Sequence, residues 1–126
     1  MKPEIAGLDG VLATYRQVLP QIVLGGPTRL GPVLEQFRQS VLAWRGQNCY
    51  SVLLLLTDGC CTDMKRTKEL LVQLSAMAAS VILIGIGNAD FTEMHELDGI
   101  DGELLQDDYG RSVHRDVLQF VEWRDA

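Results

Sequence analysis

The short segment of this 126-residue chain with the most chemical content is Leu56-Thr57-Asp58-Gly59, where a carboxylate directly follows a run of aliphatic side chains. If that run is a buried strand, Asp58 stands at its carboxyl end, where open α/β sheets hold their ligands. A carboxylate there is in a functional position. It equally suits accepting hydrogen bonds inside a strand-to-helix turn, and spacing alone does not decide between the two. Cys60 and Cys61 come next, near the expected start of a helix, where a thiol pKa can fall. A cysteine nucleophile is therefore a second chemistry to weigh. Against it, neither His95 nor His114 is near in sequence to serve as base, and Cys49 is the one other cysteine, so no zinc-ligand pairing forms.

Other candidates are weaker. Gly85-Ile86-Gly87 invites a dinucleotide-binding reading, but Asp90 stands where the third glycine should fall, and a carboxylate is a poor neighbour for a pyrophosphate. A tight turn after a strand explains the two glycines better. Asp98, Asp101, Asp107 and Asp108 form an acidic stretch that could attract cations, yet it lacks the glycine and glutamate spacing of a calcium loop and reads as a solvated loop. His95 and His114 read as solvated or locally hydrogen-bonded. No GxSxG elbow and no P-loop occurs, so no enzymatic activity is expected.

The elements that must position these residues follow from hydrophobic spacing. Leu8, Val11, Leu12, Tyr15, Val18 and Leu19 predict an amphipathic helix over 8–18, closed by Pro20. Gly25-Gly26-Pro27-Thr28 marks a sharp loop. Leu30, Val33, Leu34, Phe37, Val41 and Trp44 predict a second helix ending near Gly46. Residues 50–57 (YSVLLLLT) form a continuous apolar run, the pattern of a central parallel strand buried on both faces. Leu70, Leu71, Leu74 and Met77 predict a helix with Asp63 placed to cap it, and residues 80–85 (SVILIG) predict another doubly buried strand. Asp90 with Glu93 resembles a capping box opening a short helix through Leu97, Glu103 to Leu105 could start a third strand, and the tail ending at Trp123 reads as a last helix or a helix plus an extended segment. Helices alternating with buried strands give an α/β layered domain.

Length and composition bound the rest. A mass of 14.0 kDa with 47% hydrophobic and 22% charged residues fits one globular domain. Eleven basic against 17 acidic residues give a net charge of −6, the wrong sign for nucleic acid or for an anionic membrane surface, and divalent cations are the more natural company. Three cysteines, two of them adjacent, form no disulfide framework, and no apolar stretch has signal-peptide or membrane-spanning length, so a reducing, cytoplasmic setting is expected.

Five segments in order, GLDGVLATYRQVLPQI, GGPT, YSVLLLLTDGCCTDMKRTKE, SVILIGIGNADFTEMHELDG and RDVLQFVEWRD, resemble the von Willebrand factor A-like domain of the copines. The resemblance spans nearly the whole chain and rests above all on TDG-x-x-TDM-x-x-TKE and GIGNADF-x-x-M-x-x-LDG. It implies a doubly wound, Rossmann-like three-layer sandwich with a metal-ion-dependent adhesion site of oxygen ligands for Mg²⁺ or Mn²⁺. Thr28 in GGPT and Asp58 in TDG match two of that site's motifs, whereas the DxSxS motif of the first strand is absent from this sequence.

The resemblance therefore implies a partial sandwich lacking its first strands, including the one that would lie beside 50–57, with an incomplete, weak cation site. An open, apolar sheet edge would favour self-association. It further implies a non-enzymatic module that binds intracellular signalling proteins. Calcium-dependent phospholipid binding, and with it any plasma-membrane association, is expected from family domains outside these 126 residues. A truncated product without independent activity is the alternative, beside the small enzyme with a cysteine nucleophile.

Overall fold

Hydrophobic spacing resolves into helices and parallel strands in a computed structural model that describes residues 4–100 and 102–124. In chain order these are α1 (Gly7–Val18), a 3-10 turn (Leu19–Gln21), α2 (Gly31–Ala43), β1 (Ser51–Thr57), α3 (Met64–Ser75), β2 (Ala79–Ile86), α4 (Thr92–Leu97) and β3 (Leu118–Trp123). The strands form one sheet in the order β1-β2-β3, parallel throughout, with Leu55 beside Leu83 and Leu83 beside Phe120. Parallel neighbours cannot be joined by hairpins. α3 supplies the first crossover, and α4 with the loop after it the second. The architecture is α/β, as expected, and consistent with part of a von Willebrand factor A-type sandwich.

One face of the sheet is the core. Val81, Leu83, Leu118 and Phe120 are buried there with Leu34 and Val41 of α2, Leu70, Leu71 and Leu74 of α3, and Met94 and Leu97 of α4. Gly85 belongs to this packing: a Cβ at that position would lie 2.9 Å from both Phe91 and Phe120, whose rings meet at 5.6 Å. Gly87, with φ of +94°, makes the turn that follows. The two glycines thus serve packing and a turn, as their spacing indicated.

Several expectations are corrected. β1 is neither central nor buried on both faces: it lies at a sheet edge, and Val52, Leu54 and Leu56 are 57%, 59% and 58% exposed. An uninterrupted apolar run has no period, so sequence cannot reveal that only one of its faces is covered. The third strand is not at Glu103 to Leu105, where residue 103 makes only an isolated bridge with Ile100, but at Leu118–Trp123, the tail expected to contain a helix. There Leu118 and Phe120 alternate inward while Gln119 and Val121 face out, a strand period partly masked by the apolar Val121. α1 is a helix as predicted, but none of its residues is buried, so its apolar stripe stays exposed.

Two caps also differ. Asp63 occupies the N-cap position of α3 but its side chain caps none of that helix's backbone N–H groups, meeting the helix only through the Thr67 hydroxyl at 3.5 Å. Its carboxylate instead accepts from the backbone N–H groups of Leu30 and Gly31 at the start of α2, each at 2.9 Å. Asp90 and Glu93 make no capping box. The residue at the α4 N-cap position is Phe91, and Asp90 accepts from the backbone N–H and hydroxyl of Thr92 in a local turn. That interaction holds the Asp90 carboxyl below the usual range.

The Asp63 bridge docks α2 on α3 and generates a prediction. Burial pushes the Asp63 carboxyl up, but hydrogen bonds from the Cys61 thiol and from the Gly31 and Leu30 N–H groups hold it, on balance, below the usual carboxylate range. A depressed folded-state pKa contributes stability that is present above the unfolded value, about 3.9 for an aspartate, and is lost as pH falls through the folded value. Asp63→Ala is therefore expected to cost about 2 kcal/mol in urea denaturation at pH 7. The gap between wild type and mutant should narrow as pH falls below about 4. An unchanged gap across that window would show that the carboxylate charge is not what holds α2.

Candidate functional site

The carboxyl ends of β1 and β2 point their loops to one end of the sheet. Thr57, the last residue of β1, is buried, and Asp58 beyond it is exposed. Two bonds bring the glycine-rich loop before α2 to this place: the backbone N–H and the hydroxyl of Thr62 both donate to the Thr28 carbonyl, at 3.0 and 2.9 Å. A Cβ built on Gly59 would stand 3.9 Å from the Thr28 hydroxyl oxygen, so that hydroxyl flanks the turn next to Asp58. The structure thus brings Thr28 and the Asp58 turn together across thirty residues of sequence.

Asp63 takes the Cys61 thiol and the Leu30 and Gly31 N–H groups, and the Gly59 N–H donates to Thr57 Oγ1 at 3.4 Å, while Asp58 accepts no hydrogen bond among the described residues and faces water. An exposed carboxylate and a neighbouring hydroxyl are hard oxygen donors of the kind Mg²⁺ or Mn²⁺ takes. In kind they fit. In number they fall short: no group of three or more histidine, cysteine or acidic side chains suited to a metal ion occurs among the described residues. Most of the coordination shell would be water.

The cysteines are placed differently from each other. Cys61 is buried, its thiol donating to Asp63 Oδ1 at 3.0 Å and lying 3.5 Å from the buried Thr67 hydroxyl. Burial pushes that thiol up, away from the thiolate a nucleophile needs. Cys60 is exposed, its nearest partner being the Asp90 carbonyl at 3.9 Å. Neither histidine bonds to a cysteine. His95 pairs with Glu122 at 2.8 Å, tying α4 to β3, and the His114 backbone N–H donates to the Ser75 hydroxyl. The His95 bond is the leading cause that holds Glu122 below the usual range.

The acidic stretch is not a uniformly solvated loop. Asp98 accepts from the Phe120 N–H and the Gln119 amide, and the Asp107 side chain is fully buried against Arg111 at 2.7 Å, whereas Asp108 is exposed. Asp101 lies outside the described residues. Sequence reading missed Thr62 and the true partner of Asp63. The signal available was Gly31, a glycine just inside a helix, which marks a close approach: a Cβ there would come within 2.5 Å of Asp63 Oδ2.

The family model described as Copine matches residues 1–126. Protein BONZAI 1 of Arabidopsis thaliana is 40% identical over 125 residues, an alignment covering 98% of this chain and 22% of that protein. The chain thus spans about a fifth of the length of this relative. With its whole length matched by the family and so similar a relative, the chain belongs to the copine family.

Proposed function

We propose that this chain is a non-enzymatic protein-binding module whose contact point is the end of the sheet where Thr28 and Asp58 lie. The observation behind it is the pair of hydrogen bonds from the Thr62 N–H and hydroxyl to the Thr28 carbonyl, which fixes the threonine loop against a turn whose carboxylate accepts no bond among the described residues. There Thr28 and Asp58 would hold Mg²⁺ or Mn²⁺ weakly, and the cation would accept an acidic group of an intracellular signalling protein as a further ligand. In the longer family context the module would act in calcium-dependent, membrane-linked signalling, cytoplasmic and recruited to the plasma membrane through lipid-binding domains elsewhere. No described helix is long and apolar enough to cross a membrane.

The uncovered sheet face favours a second reading. Val52, Leu54, Leu56, Ile82, Val121 and Trp123 are exposed on it, and β1 has one open edge among the described strands. A parallel sheet with one bare face is uncommon, and an open apolar edge invites pairing. The chain would then self-associate through that edge. Size-exclusion chromatography at low concentration separates the readings, since a compact monomer counts against self-association.

Thermal unfolding followed by circular dichroism tests the cation. For a dissociation constant on the order of 1 mM, roughly 10 mM Mg²⁺ adds about 1.4 kcal/mol of stability and raises the midpoint by about 5 °C relative to EDTA. Asp58→Ala should abolish the rise. An equal rise in both proteins would remove Asp58 from the site.

Alkylation tests the enzyme alternative. At pH 7 iodoacetamide is expected to modify Cys49 and Cys60 at the rate of free cysteine and to spare Cys61 until the chain unfolds, because a buried thiol with a raised pKa is both shielded and protonated. Labelling of Cys60 ten times faster than free cysteine would revive the nucleophile.

A further inference from the structure

Tyr109 sits in a turn between the core residues Leu105 and Val113 that several hydrogen bonds hold. The Gly110 N–H donates to the Asp107 carbonyl at 3.0 Å, Gly110 takes a φ of +78°, and Gln106 bridges to Ser112 below. Inside the turn the buried Asp107 carboxylate accepts from the backbone N–H groups of Tyr109 and Arg111, each at 2.9 Å, and from Arg111 Nε at 2.7 Å. These bonds, foremost those of Arg111, keep Asp107 ionised despite its burial. The result is a pedestal from which the Tyr109 ring projects, 65% exposed.

Two cations flank that ring. Lys65 Nζ, from the first turn of α3, lies 5.0 Å from the ring centroid, and the Arg111 guanidinium carbon lies 5.1 Å from it. One cation over an exposed phenol is a common weak contact. The second is more positive charge than a neutral ring uses. Arg111 already serves Asp107, whereas Lys65 makes no close ion pair among the described residues and has Tyr109 itself as its leading partner, with Asp108 and Glu69 acting on it from farther away. The other tyrosines lack this setting. The Tyr50 hydroxyl is hydrogen-bonded to the Ala79 carbonyl, and Tyr15 on α1 has no cation against its ring among the described residues.

We infer that Tyr109 is a phosphorylation site whose phosphate Lys65 and Arg111 hold. A protein tyrosine kinase would supply the reaction with a nucleoside triphosphate. The Tyr109 oxygen attacks the γ-phosphorus and a new O–P bond forms. The bond from that phosphorus to the β-phosphate oxygen breaks, the nucleoside diphosphate leaves, and the phenolic proton passes to the base of the kinase. The product brings a charge of about −1.5 to −2 and three acceptor oxygens to a place where Lys65 and Arg111 stand against the Asp107, Asp108 and Glu69 carboxylates, and it orders the turn to the extent that the two cations outweigh those like charges. Arg111 can keep Nε on Asp107 and turn its terminal nitrogens to the phosphate, a division its fork geometry permits. Lys65 would join the turn to the start of α3, two residues from the Asp63 bridge that positions α2.

The experiment uses the full chain, a purified tyrosine kinase and ATP, with the modified residue located by mass spectrometry and the phosphate titrated by ³¹P NMR. Modification is expected at Tyr109 ahead of Tyr15 and Tyr50. The second phosphate pKa, about 6 when unpaired, should be lowered by about half a unit or more in wild type and return toward 6 in Lys65→Gln. Circular dichroism of Lys65→Gln checks that this surface change leaves the fold intact. Two results would overturn the inference: no modification of Tyr109 in the folded chain while a peptide of residues 102–116 is modified readily, or a phosphate titrating near 6 in both wild type and Lys65→Gln.

Discussion

Everything at the candidate end of the sheet depends on one carboxylate reaching across the gap between two helices. The first N–H groups of a helix have no partner inside it, and for Leu30 and Gly31 the partner comes from Asp63, more than thirty residues later. The negative charge also sits where the dipole of α2 favours it. Because the same Oδ1 accepts from the Cys61 thiol, the bridge needs a small, buried donor at 61 and no side chain at 31. Thr62, between Cys61 and Asp63, is thereby set to hold the Thr28 carbonyl. One interaction docks α2, excludes any residue but glycine at 31 and sets the loop that carries Thr28.

The sheet imposes the second constraint. Its order β1-β2-β3 means that each crossover adds a strand on the same side of the last, and the packed helices lie over one face. The core is built by alternation along the strands: Val81 and Leu83 face it while Ile82, one residue away, faces out. On the other face the same alternation exposes apolar side chains that strands of a layered domain keep covered. This is the pattern of part of a larger layered unit, in keeping with a chain that spans 22% of a relative it resembles along nearly its whole length.

Much of this was legible in the sequence, and the gaps have physical causes. Helices α1 to α4 announced themselves through spacing or breakers, and the β1 and β2 runs were long and apolar enough to be seen. What the runs could not show was which face is covered, because side chains such as Leu54 and Leu55 are chemically alike and differ only in what stands opposite them. β3 was obscured because Val117, Leu118, Phe120 and Val121 fit both periods over so short a span. Asp63 was correctly singled out as a capping residue but given to the adjacent helix. A cap is legible when donor and acceptor are neighbours in sequence, and here they are joined only by the docking of α2 on α3. Asp58 stood out by its place after an apolar run and Thr28 through a family motif, and their proximity required the fold.

An acidic chain with 17 carboxylates is expected to draw cations wherever its acids cluster, but the fold removes several of them from that role. Asp63 and Asp98 bond backbone N–H groups, Asp90 closes the turn before α4, and Asp107 is buried in its turn with Arg111. Each is neutralised or hydrogen-bonded where it stands. Glu35 and Glu122 are paired with basic side chains and contribute little field at the end of the sheet. Asp58 differs from them: it lies directly after a strand, faces water and has no bond in the turn it begins. Its exposure is what separates it from the carboxylates the fold uses internally, and the Thr28 loop beside it is held through the Thr28 carbonyl, which leaves the threonine hydroxyl without a bond among the described residues.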